Sequence, residues 1–442
     1  MSQLLANKLK KLIVSFLLDS RIPLTYELYL IDFQKIKDIF YFLKAIYKVF
    51  FTTNKQLFYE YVKYVFHELF QYKYIKNTNT DCLMFKYQQF EFYILFKKKL
   101  ENLNIRIEFS LKIGSIHQCP DRCYRVCSLI SKGTYGKVYL CQDEHGNKLA
   151  MKLFQEKLDM EVEIDALSKL KKIDGVVQIV DVIYFNILGV DFGAFTMLYM
   201  EYTLKSYVEA FNPKEEMIIE VFYELLCILK DLHANCVIHC DMKQENVLLT
   251  EDSRICLADF GISKILPDGI HMIKINDEIV TSWFQCPINS LSKANNEPFI
   301  VSWIADLYGL CVSMLFLLSF EISESEKKFN FLDSYLFHIF RDKNYFEIDE
   351  DEDEDEDHKS KKKIDIKGST EKIHNACSIV ENKFFRELLM ACMDPESILG
   401  WYVELEIDPS NNNSIIPKII EKIEDYFGWG DTPPRPHAIE SP

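Results

Sequence analysis

No apolar run in this chain is long enough to cross a bilayer. The longest, "LYGLCVSMLFLLSF" (307–320), falls short of the ~20 residues a spanning helix needs and suits a buried core helix. Basic stripes are lacking too, which argues against a nucleic-acid binder, since such proteins meet phosphates with lysine and arginine. No secretory signal stands out. After Lys10–Lys11 the stretch "LIVSFLL" is short, has no small-residue cleavage site and is cut by Asp19. No internal repeat is visible. The thirteen cysteines are odd in number and scattered, so reduced thiols in an intracellular protein, cytoplasmic or nuclear, are expected.

The chain does have apolar residues enough, 48% of 442, for two or three units with real cores. Net charge is −16, but nine acids stand in one run, "DEDEDEDED" (Asp349–Asp357), and the remainder is an ordinary surface. That run and the following "HKSKKK" read as a solvated insertion at about 347–368. "KSKKK" balances local charge rather than marking nuclear import. "DTPPRPHAIESP" closes the chain as a proline-containing tail, 429–442. Residues 1–118 read as a helical N-terminal domain. In "FQKIKDIFYFLKAIYKVF" the apolar positions recur at three and four, "TTN" breaks them, and "LFYEYVKYVFHELF" resumes. One more helix is expected after "KNTNTD" (76–81), ending near "KKKLENLN". This domain is either a regulatory module that meets a partner, a substrate-docking module, or a brace on the upper lobe. From about Tyr124 the texture turns strand-rich, and from about Lys214 helical, as in a two-lobed α+β unit.

Within that unit one stretch concentrates chemistry. "HCDMKQENVLL" (239–249) sets Asp241, Lys243 and Asn246 on one short loop. Phosphoryl transfer from a nucleotide needs a phosphate cradle, a cation for the phosphates, oxygen ligands for Mg²⁺ and a carboxylate facing the acceptor. "LISKGTYGKVYL" (129–140) offers a strand–turn–strand cradle, "LAMKLF" (149–154) a strand bearing Lys152, and "EVEIDALSKL" (161–170) a helix bearing Glu163. "ADFGIS" places Asp259 thirteen residues after Asn246. Singly these parts are weak signals; their joint order and spacing are strong. A second "DFG", Asp191–Gly193, precedes the loop and reads as strand.

In order and spacing the stretch 124–400 resembles the eukaryotic-type protein kinases, so a bilobal fold is expected over 119–428, with an N-lobe at 119–203 and a C-lobe at 204–428. The resemblance implies ATP and Mg²⁺ as cofactors. It assigns Ser131, Gly133 and Gly136 to the phosphate loop and Lys152, paired with Glu163, to the α and β phosphates. Val138, Ala150 and Leu248 would sandwich the adenine, with Met200 guarding the back pocket and the Glu201 carbonyl and Thr203 amide at the purine edge. Asp241 would take the acceptor's proton, Lys243 would steady the γ-phosphate, and Asn246 and Asp259 would bind the metal. Lys243 and "IVTSWFQCP" (279–287), with Thr281 bonding Asp241 and Lys243, point to protein Ser/Thr substrates rather than small molecules. Asp306 of "ADLYGLC" would anchor the catalytic loop. No nucleic-acid or membrane partner is expected.

The departures are as informative. Ser131 replaces the first glycine of the phosphate loop, which puts ATP affinity in question. Thr134–Tyr135 at its tip look like those of the cyclin-dependent kinases. Cys240 replaces the arginine that grips an activation-segment phosphate, and "KILPDGIHMIKINDEIV" (264–280) contains no Ser, Thr or Tyr, so phosphorylation inside that segment is not needed. "CPI" (286–288) lacks the family's glutamate, and Ile398 stands where its arginine partner belongs. Losing both can leave an apolar contact of similar worth. A pseudokinase scaffold is the alternative reading. His117, Cys119, Cys123 and Cys127 match no zinc ribbon or finger spacing and read as free.

Overall fold

The computed structural model describes residues 72–76, 80–87, 90–98, 103–119, 122–133, 136–187, 190–249, 254–276, 286–320, 346–348, 362–364, 366–410 and 414–429. The chain divides into two compact units: Met1–Met160 with Ile179–Tyr199, and Glu161–Gln178 with Met200–Pro442. The division falls within helix α1 (Lys157–Lys169).

The first unit holds two antiparallel sheets. Strands β1 (Tyr72–Lys76), β2 (Thr80–Tyr87), β3 (Phe90–Lys98) and β4 (Leu103–Leu111) form a four-stranded meander. This corrects the expected helix after "KNTNTD". "FEFYILFKK" is rich in aromatic residues, and an apolar run of that length fits a strand as well as a helix, whereas "LNIRIEFSL" alternates apolar and polar residues as a half-buried strand does. The helices expected over 1–71 lie outside the described residues, as does the "PPRP" tail.

The second sheet joins β5 (Ile116–Gln118), β6 (Cys123–Lys132), β7 (Gly136–Gln142), β8 (Lys148–Phe154), β9 (Ile179–Ile187) and β10 (Val190–Leu198) in the order β5-β6-β7-β8-β10-β9. The early "DFG" lies within β10, in keeping with its reading as strand. Strand β7 alternates strictly: Lys137, Tyr139 and Cys141 are buried, whereas Val138 and Leu140 are half-buried. Strand β8 is buried throughout after its first residue.

The second unit is helix-rich. Strand β11 (Tyr202–Thr203) runs into helix α2 (Leu204–Phe211), which leads to α3 (Glu215–Ala234), and α3 packs on α5 (Trp303–Phe320). Helix α5 is largely apolar on every side, with Asp306 and Ser313 as buried polar exceptions, and its side chains Leu307, Leu310, Cys311, Met314 and Leu315 are at most 1% exposed. A helix of that kind belongs in a core, and each such large side chain contributes about 1.5–3 kcal/mol on burial. Helices α4 (Pro287–Asn295), α6 (Ile366–Cys377), α7 (Lys383–Met393), α8 (Pro395–Ile407) and α9 (Ile416–Phe427) complete the unit. Asp394 caps α8 by accepting from the Ser397 amide at 2.9 Å, and Pro395 suits its first turn. Phe346–Ile348 pairs with Lys362–Ile364, so the chain on either side of the acidic run is joined; the run itself lies outside the described residues.

Candidate active site

In the first unit, register decides which side chains share a face. Val138 pairs with Lys152 and Leu140 with Ala150, so Val138, Ala150 and Lys152 lie on one face of the sheet. Phe195 and Met197, opposite Lys152 and Ala150 on β10, extend it. Ser131 pairs with Val138 and is exposed. The Gly133 amide donates to the Gly136 carbonyl at 2.9 Å and closes the turn. Gly136 is constrained by its neighbour: a Cβ there would sit 2.2 Å from the Leu153 carbonyl oxygen. Lys152 is 7% exposed, with Nζ 5.1 Å from the centroid of the Phe154 ring. Thr134 and Tyr135 lie outside the described residues.

In the second unit, β12 (Val237–Ile238) leads into the loop, a 3₁₀ turn at Gln244–Asn246 ends it, and β13 (Val247–Leu249) pairs with β14 (Ile255–Leu257). Around that turn the acid, amine and amide meet. Lys243 Nζ donates to Asp241 Oδ2. Asn246 Nδ2 donates to the Asp241 backbone oxygen at 2.8 Å and to Oδ2 at 2.9 Å. Both Asp241 and Asn246 are buried. Asn246 turns its amide nitrogen to Asp241, and its amide oxygen and the half-buried Asp259 carboxylate are hard oxygen donors of the kind that fits Mg²⁺. Asp259 has φ +64°, a left-handed conformation that non-glycine residues adopt at a cost of about 1–3 kcal/mol, often at functional sites.

Two buried groups hold this loop. Asp306, fully buried at the start of α5, accepts from the amides of His239 and Cys240, each at 2.8 Å, and bonds His233 Nε2 at 2.9 Å. His239 carries no role in the sequence reading, yet it stitches two segments together. Its Nε2 donates to the Ala258 carbonyl at 3.0 Å, its Nδ1 accepts from the Asp241 amide at 3.2 Å, and its ring meets Phe260 edge-on. Only its position two residues before Asp241 hints at this. The Ala258 amide, in turn, donates to the Asn246 carbonyl at 2.8 Å, tying the Asp259 turn to the loop.

Thr203, whose amide is expected at the purine edge, starts helix α2. Its amide donates to Ser206 Oγ at 3.0 Å while its hydroxyl oxygen accepts from the Ser206 amide at 3.1 Å, a capping box that starts α2. Strand β11 pairs with β13, which sets Thr203 beside Leu248. Met200 is half-buried and Glu201 exposed. On α1, Glu163 is 1% exposed.

Burial pushes the Cys240 thiol well above its usual range, with Asp306 adding to it. The segment after Asp259 is held by other means. Strand β15 (Lys264–Ile265) pairs with β12, and β16 (Met272–Ile275) pairs with β17 (Phe299–Ser302). The His271 amide donates to the Pro409 carbonyl at 2.7 Å, and Lys274 Nζ reaches Glu406 at 2.5 Å. Thr281 lies outside the described residues. Ile288 on α4 and Ile398 on α8 are both buried, and these two helices pack together. Among the described residues no group of three His, Cys, Asp or Glu is disposed to hold a metal ion, and no helix is long and apolar enough to cross a membrane.

The protein kinase domain family matches residues 124–396. A probable cell division protein kinase of Encephalitozoon cuniculi is 31% identical over 188 residues, 41% of this chain and 67% of that protein. Cyclin-dependent kinase 10 of Bos taurus is 29% identical over 184 residues, 39% and 50% of the two chains. Cyclin-dependent kinase 4 of Mus musculus is 27% identical over 181 residues, 37% and 59%. The alignments thus span between half and two thirds of these relatives.

Proposed function

Because the chain belongs to the eukaryotic-type serine/threonine protein kinases, we propose that it transfers the γ-phosphate of ATP to Ser and Thr side chains of protein substrates. The observation that carries this reading is the hydrogen-bonded cluster of Asp241, Lys243 and Asn246 on a loop anchored by Asp306. Asp241 orients the acceptor hydroxyl and takes its proton. Lys243, on the same carboxylate, steadies the transferring phosphate. Mg²⁺, which supplies positive charge to the phosphate oxygens, would be held by Asn246 and Asp259. Lys152 grips the α and β phosphates, with Glu163 assigned to orient it. Ser131, Gly133 and Gly136 cover the phosphates. Val138, Ala150 and Leu248 take the adenine, Met200 guards the back pocket, and the Glu201 carbonyl meets the purine edge. Thr203 would have to release Ser206 to join it. Thr281 is assigned to the acceptor side.

Activation, in this reading, needs no phosphate within 264–280. A buried, neutral thiol at Cys240 cannot grip one, and the β16–β17 ladder, His271 and Lys274 supply tethers in its place. The names of the relatives, cyclin-dependent kinases, suggest a protein regulator here as well, for which the N-terminal domain, 1–118, is the assigned contact. Free thiols throughout the described residues suit a reducing compartment, cytoplasm or nucleus. The second reading, a pseudokinase scaffold, is favoured by Ser131 and Ile288.

The test is transfer from labelled ATP, with Mg²⁺, to casein, basic protein and the chain itself, with Asp259→Asn alongside. We expect label on Ser and Thr that falls by about 10²-fold or more in the variant. Nucleotide binding without transfer would favour the scaffold.

A further inference from the structure

Lys137 is a lysine out of place. It follows Gly136 directly in the turn assigned to the phosphates, yet it is only 5% exposed. Alternation along β7 turns it, with Tyr139 and Cys141, away from the face that carries Val138 and Lys152. Burying an ammonium is costly unless acceptors meet it, and one is supplied from the end of β4: Lys137 Nζ donates to Ser110 Oγ at 2.6 Å. One residue on, the Leu111 amide donates to Tyr139 Oη at 3.1 Å. The last strand of the N-terminal sheet therefore grips β7 at two consecutive residues of its own, on the side opposite Val138. The Lys137 contact lies next to Gly136, whose backbone is itself pressed against Leu153.

Resting on the kinase reading of the Gly133–Gly136 turn, we infer that Lys137 and Ser110 are positioning residues for ATP. The N-terminal sheet fixes the height of the phosphate loop through them, and so sets nucleotide affinity from outside the kinase lobe. The sheet is then a lever on ATP binding, and a ligand or partner that shifts β4 would change affinity without touching the nucleotide.

The experiment uses the full chain with Lys137→Met and Ser110→Ala, plus the conservative Lys137→Arg. Two quantities are read: KM for ATP against kcat, and amide hydrogen exchange across 133–137. In Lys137→Met and Ser110→Ala we expect KM to rise about fivefold with kcat changed less than about twofold. Exchange at the Gly133 amide should quicken, and Lys137→Arg should restore both. Native transfer with unmoved KM and exchange in the variants overturns this inference and leaves the kinase reading intact. A lowered melting temperature alone, with KM and exchange unmoved, also overturns it, because the contact is then only a brace. If the native chain transfers no phosphate, the kinase reading falls and the assignment of Lys137 and Ser110 to ATP falls with it; unchanged exchange would dispose of the clamp as well.

Discussion

Replacing Ile288 by glutamate and Ile398 by arginine, singly and together, measures what the apolar substitute for an ion pair is worth. Ile398 is fully buried and Ile288 is 5% exposed. Ile288→Glu alone loses packing and buries a carboxylate with no cation assigned to it, as Ile398→Arg does for a guanidinium. Stranding one buried charge typically costs about 3–5 kcal/mol. For a unit of this size each kcal/mol moves the melting temperature by about 2–4 °C, so each single variant should melt roughly 6–20 °C lower. The double variant restores the arrangement this family usually carries. If the two side chains occupy one contact between α4 and α8, it should recover about 3 kcal/mol of the summed loss, a coupling well above the ~0.5 kcal/mol scatter of independent sites. Urea unfolding of the four proteins measures this directly. Additive losses in the double variant would refute the claim that Ile288 and Ile398 jointly replace the pair.

Asp306→Asn keeps the shape but sets an amide NH₂ against one of three buried donors, the His239 and Cys240 amides and His233 Nε2. A donor left unmatched in a buried site costs about 1–3 kcal/mol, more where a charge assisted it. The variant should therefore be destabilised by about 2–4 kcal/mol in urea titration and lose transfer activity; a silent variant would remove Asp306 as the anchor. Glu224 on α3 has its carboxyl raised to about 7 by burial, with Glu220 and Asp174 adding repulsion. A folded-state value above the unfolded one means stability is complete below about 4.5 and is lost as pH rises through 7. Glu224→Gln should thus match the native protein near pH 5 and exceed it by about 1–2 kcal/mol at pH 8, after allowance for solvent screening. Equal gains at both pH values would show that the cause is not titration.

Chemistry that demands a residue type at a fixed offset is legible in the sequence alone. Asp241, Lys243 and Asn246 have to be close because one short loop carries all three, and a single 3₁₀ turn brings Asn246 back onto Asp241. The DFG at Asp259 and the largely apolar α5 are equally plain, since neither depends on a distant partner. Strand β3 is not, because "FEFYILFKK" satisfies helical and strand periods alike and pairing decides between them, whereas the strict alternation of "LNIRIEFSL" in β4 is a strand signal that the helical reading of 1–118 passes over. The cap at Thr203 is hidden for a different reason. The hinge likeness points to its amide, while Ser206, three residues on, claims that amide through a cap. The burial of Lys137 has no signature in its own surroundings at all, since it depends on Ser110, 27 residues earlier and on another sheet.

The three positions of the turn proposed to cover the phosphates are constrained unequally by the fold. Gly136 has no exit: any side chain there would meet a backbone carbonyl that cannot move without unpicking β8. At Gly133 the nearest atom to an added Cβ is 3.9 Å away, so the fold itself would accept alanine and only a ligand would object. Ser131 is exposed and already departs from the family's glycine. In the proposed reading, the fold limits substitution at Gly136 and the nucleotide limits it at Gly133. A survey of functional variants at 131, 133 and 136 would therefore separate what the fold requires from what ATP requires.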